Sequence, residues 1–151
     1  MLITVLSGLS GLSACADPGP PADATALADV QAVAVSGSEG EWLFNVTVLS
    51  PDRDCSQYAD WWEVLGEDGE LLYRRVLNHS HPDEQPFTRS GSPIPIDGDQ
   101  VVIVRAHLNP GGYGGAAVKG TASGGFLAAE VSADFAAAAE TAAPLPEECW
   151  Y

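Results

Sequence analysis

The chain has 151 residues, 46% of them apolar, and a formal charge of -15 at neutral pH. That size supports one domain with its own core, and the apolar content excludes a disordered chain. The acidic balance argues against nucleic acid as a partner, because a phosphate backbone demands a basic surface. It also argues against docking on an anionic membrane by charge alone.

Residues 1–14, MLITVLSGLSGLSA, carry no charge. They are too short to span a bilayer as a mature helix, which takes ~20 residues, and they suit the apolar run of a signal peptide. The stretch Leu12-Ser13-Ala14-Cys15 closes this run. It resembles the lipobox of bacterial lipoproteins, an aliphatic residue and two small ones before the cysteine that takes the lipid. The resemblance implies lipidation at Cys15 and a place in the bacterial cell envelope, on the extracytoplasmic side. The competing reading is a buried N-terminal strand with an incidental cysteine. Residues 15–26 are rich in proline and small residues and read as a tether.

The expected strands follow in order. Leu27–Val35 alternates weakly. Glu41–Leu49 alternates clearly, with Trp42, Phe44, Val46 and Val48 on one face. Residues 50–58 form a loop that holds Cys55. Ala59–Leu65 and Glu70–Leu77 make a hairpin about Asp68-Gly69. Residues 78–93 form a long connection with room for a short strand near Phe87–Ser90, and Pro82, Pro86 and Pro93 bar a central strand there. Gln100–His107 contains VVIV, a run that suits a strand buried on both faces. The glycine-rich loop Asn109–Gly115 precedes strands at Ala116–Gly120 and Gly125–Phe135. Residues 136–151 are expected to form an Ala- and Pro-rich tail.

This pattern predicts an all-β fold: a single antiparallel β-sandwich of seven to eight strands over residues 27–135. The run VVIVRAHLNPGGYGG, with Ala106, Asn109 and Gly112, also resembles a strand and loop of fibronectin type III domains. That resemblance implies an immunoglobulin/fibronectin III-like sandwich and carries no function. With strands running alternately up and down, loops 50–58, 78–90 and 108–115 gather at one end.

With Cys15 lipidated, Cys55 and Cys149 remain, and an even number outside the cytoplasm points to a disulfide joining tail to domain. The alternatives are a metal-bound thiol pair or two free thiols. The wide spacing lacks the close pairs of a zinc site.

All three histidines and four of the six basic residues fall between Glu70 and His107. His79 and His81 share a face in extended backbone, and with Glu84 and His107 they suit a divalent transition metal such as zinc or copper. Their other reading is a polar loop. Arg75, Arg89 and Arg105 suit a carboxylate, sulfate or phosphate, or ordinary pairing with nearby acids. Tyr58, Trp61 and Tyr113 suit a flat platform for a glycan or peptide. Catalytic signatures are weak: there is no nucleophile elbow, P-loop or zincin helix. Ser80 points away from its two histidine neighbours. The expectation is a lipid-anchored binding or structural module with a protein, glycan or small-molecule partner. A metal-dependent protein is the rival class.

Overall fold

The computed structural model describes residues 26–150. The expected signal peptide, Cys15 and nearly all of the tether lie outside the described residues.

Eight strands form: β1 Asp29–Ser36, β2 Trp42–Leu49, β3 Tyr58–Gly66, β4 Leu71–Val76, β5 Phe87–Ile94, β6 Val102–Asn109, β7 Ala117–Thr121 and β8 Gly125–Ala129. They make two sheets, one ordered β1-β2-β5 and one ordered β4-β3-β6-β7-β8. Every neighbouring pair is antiparallel. The alternation in β2 does what alternation must: Phe44, Val46 and Val48 are fully buried. They meet Trp62, Val64, Val102, Val104 and Ala106 of the facing sheet. Two glycines are required here. Gly69 takes φ 87° at the β3–β4 turn, which β-carbon sterics disfavour. Gly91 lets β5 press on the core, since a Cβ there would sit 2.5 Å from the Trp62 ring.

β5 is longer than the stretch expected around Phe87–Ser90 and includes Pro93. It pairs with β2 alone, so it is an edge strand, and the missing N–H of Pro93 removes nothing the ladder needs.

The C-terminal part departs from expectation. β8 ends at Ala129, not Phe135. The chain then crosses the outer face of the five-stranded sheet, with a 3₁₀ turn at Ala137–Thr141. Val131, Phe135, Ala136 and Ala139 pack there on Leu65, Ile103 and Ala117. The supposed tail is thus a third layer. It explains why all nine residues of β3 are buried and why seven of the eight residues of β6 are too. An antiparallel sheet with one face in water would bury alternate residues only.

The loops after β2, β4 and β6 touch one another at one end. The Ser50 N–H donates to Gln85 Oε1 at 2.9 Å. The Asn109 side chain donates to the Cys55 carbonyl at 3.4 Å. Cys55 and Cys149 form a disulfide with Cα atoms 5.7 Å apart.

Candidate functional site

A bulge in β3 sets up the polar face under the third layer. Ala59 pairs with Leu108 and Trp61 with His107, leaving Asp60 as the extra residue. Two residues against one shifts the alternation. Ala59 and Trp62 consequently both join the core, while Asp60 and Trp61 both lie beside His107. The Trp61 and His107 rings stack with centroids 3.9 Å apart. His107 Nδ1 lies 2.6 Å from Asp60 Oδ1 and its Nε2 3.4 Å from Glu140 of the covering layer. Burial pushes the Asp60 carboxyl above the usual carboxylate range, and the His107 hydrogen bond opposes the shift.

Next along β3 is Glu63, fully buried between two arginines. Arg74 reaches one carboxylate oxygen through Nε at 2.9 Å and Nη2 at 2.5 Å. Arg105 Nε reaches the other oxygen at 2.9 Å. Further guanidinium hydrogens go to backbone carbonyls above. Arg74 donates to Ala139, Ala142 and Pro144, and Arg105 to Phe135 and Ala136. The Arg74 and Arg105 guanidinium carbons also lie 4.3 Å and 3.5 Å from the Trp61 and Tyr113 ring centres. Burial, and next the Glu63 charge, push the Tyr113 hydroxyl up to about 12. This is a closed polar layer. Both Glu63 oxygens are occupied and covered, so the carboxylate has no approach for a substrate and no free position for base chemistry.

The loop end holds a second polar cluster. The Asp52 carboxylate accepts the Ala59 and His81 backbone N–H groups, each at 2.8 Å, and the Ser50 hydroxyl. His81 is buried and stacked on Phe87 with centroids 4.1 Å apart. Among the described residues neither of its ring nitrogens has a hydrogen-bond partner, and Nδ1 is 3.7 Å from Asp52. Burial, then the Arg89 and His79 charges, hold the imidazole pKa below its ordinary 6.5. The unfolded chain therefore binds the proton that the folded one rejects, and stability falls as pH drops through and below 6.5. Urea midpoints measured from pH 7.5 to 5.5 should fall for the native chain and fall less steeply for His81→Phe, which keeps the stacking. An identical slope in the variant contradicts this account.

The sequence-predicted residues are dispersed. His79 and His81 are adjacent, with ring centroids 4.2 Å apart. Glu84 instead pairs with Arg89 at 2.8 Å in solvent, which pulls its carboxyl below the usual range. His107 faces the outer layer, away from His81. Among the described residues, no three His, Cys, Asp or Glu side chains converge as a metal would need. The arginines do not form one pocket either. Arg75 is exposed and donates back to the Val76 carbonyl, Arg89 serves Glu84, and Arg105 serves Glu63. Tyr58, Trp61 and Tyr113 are buried at 4%, 3% and 8% exposure, so they offer no platform; Trp61 Nε1 donates to the Tyr113 hydroxyl at 3.2 Å. Sequence reasoning passed over Asp52 and Asp60; it took Arg75 rather than Arg74 for the cluster, and its ordinary-pairing reading of the arginines, with Glu63 as a partner, is what Arg74 and Arg105 do. It also passed over Trp150, a residue 62% exposed at the loop end. A charged residue at the centre of an apolar strand, as Glu63 is, was the available signal.

No protein-family model matches the chain. No solved structure matches it. A protein of Halomicrobium mukohataei named "Putative lipoprotein" is 43% identical over 75 residues, a stretch that makes up 50% of this chain and 37% of that protein. The match thus spans little more than a third of the relative's length.

Proposed function

We propose that this chain is a lipid-anchored binding module of the cell envelope, held outside the cytoplasm by Cys15 and presenting its loop end to a partner. One observation carries the reading. The chain has three cysteines, and Cys55 and Cys149 are bonded to each other. The remaining cysteine is the one that closes Leu12-Ser13-Ala14-Cys15. A disulfide belongs to an oxidising compartment, and the name of the relative agrees with an anchor. Membrane residence by acyl chains takes two of them, which a diacylglyceryl cysteine supplies. The strand order supports the finer, immunoglobulin/fibronectin III-type reading of the sandwich: first, second and fifth strands share one sheet, and third, sixth and seventh the other. The covered polar layer, with both Glu63 oxygens taken up by arginines, favours a binding role over a catalytic one.

Fractionation and N-terminal mass spectrometry test the anchor. The native chain should sediment with membranes and carry a lipid on Cys15. Cys15→Ser should move to the soluble fraction with its fold intact. An unmodified peptide retaining Met1 would falsify the anchor.

A further inference from the structure

At the loop end, the Trp150 N–H donates to the Asn78 carbonyl at 2.7 Å, and the preceding residue is the disulfide's Cys149. The backbone of Trp150 is therefore fixed while its indole stands in solvent. Two clefts include Trp150 in their lining. One, of about 380 Å³, is lined by His79, Ser80, Pro82, Asp83 and Trp150. The other, of about 280 Å³, includes Asn78, Leu145, Glu147, Glu148 and Trp150. Asp83, Glu147 and Glu148 are exposed, and among the described residues none of the three is ion-paired. Ser80 is only 7% exposed, yet among the described residues its hydroxyl has no partner. A buried hydroxyl without a partner marks a place where a polar group is missing.

We propose that the Trp150 clefts bind a cationic group, an alkylammonium or guanidinium, over the indole face. An aromatic face attracts a cation through its quadrupole, and indole is the best of the aromatic faces. Three unneutralised carboxylates around it add an attraction that a neutral sugar cannot use. The charge of -15 draws cations to the whole surface. The unpartnered Ser80 oxygen is an acceptor, as an N–H donor requires. The backbone that carries the ring is already held in place, so less ordering is left for binding to impose. This rests on the binding-module reading and names its ligand chemistry.

The test uses the purified full chain at matched ionic strength, following the Trp150 indole N–H by NMR. The probes are tetramethylammonium chloride, N-acetyl-lysinamide, trilysine and methyl β-glucoside. The cationic probes should shift the resonance saturably, and the glucoside should not. Trp150→Ala should weaken binding by about 5- to 30-fold, measured by calorimetry, without changing the melting temperature. Asp83→Asn and Glu147→Gln should each weaken it less. A response to both small cations and trilysine indicates free amines as ligands, and a response to trilysine alone indicates a basic peptide. No cation response, a response unchanged in Trp150→Ala, or a response to the glucoside alone overturns the proposal. Anchoring plays no part in this measurement, so its failure is distinguishable from failure of the anchor.

Discussion

Glu63→Gln is expected to destabilise the domain by about 3–5 kcal/mol, because it leaves two guanidiniums buried without their counter-charge. The side-chain accessibilities of Glu63 and Arg74 are both 0%, so solvent cannot step in. The melting temperature should fall by roughly 10–20 °C for a domain of this size. Replacing a buried ion cluster wholesale by apolar residues is often neutral or stabilising. Here the triple variant Glu63→Leu, Arg74→Met, Arg105→Met should remain less stable than the native chain. Five carbonyls of the covering layer, from Phe135 to Pro144, would lose their arginine donors. Among the described residues Ala136 and Ala139 keep a backbone N–H, while Phe135, Ala142 and Pro144 do not, and a buried carbonyl left unpaired costs about 1–3 kcal/mol. A triple variant as stable as the native chain would show that water satisfies those carbonyls and that the layer is held by packing alone.

Cys149→Ser is the second large change. The disulfide closes a loop of sequence separation 94, which corresponds to about 4.7 kcal/mol in the chain-entropy model, with measured losses usually nearer 2–5 kcal/mol. Its effect should reach the covering layer as well, since the bridge holds the far end of the segment whose carbonyls cap Arg74 and Arg105. Hydrogen exchange in residues 135–149 should rise in the variant more than exchange in β3 and β6. Reduction of the native chain should reproduce the same pattern, and exchange raised uniformly over the domain would contradict it.

Much of the sandwich was legible because side-chain alternation is a local signal. Phe44, Val46 and Val48 announce one buried face, and Asp68-Gly69 announces a hairpin. The cysteine pair was legible by counting. The bulge at Asp60 was not, because an extra residue leaves no mark on composition, and it decides which neighbour of Ala59 faces the core. The covering layer was hidden for another reason. It binds Arg74 and Arg105 through backbone carbonyls, which every residue possesses, so an Ala-rich segment looks inert in sequence. One clue existed in the VVIV run of β6, whose burial on both faces demands a cover on each. The histidines misled because imidazoles near one another in sequence were read as converging, whereas His107 is on the other side of its sheet from His81.

The disulfide also determines how the domain carries a mechanical load. Suppose it is pulled between residue 26 and Trp150. The covalent path runs through β1 and β2 to Cys55, crosses the sulfur bridge to Cys149, and ends at Trp150. Strands β3 to β8 lie on a closed loop that bears no tension. At most about 30 residues can pay out, roughly 100 Å of extended chain instead of about 400 Å. Force on a captured partner would peel β1 and β2 from their neighbours while leaving the five-stranded sheet and its ionic layer folded.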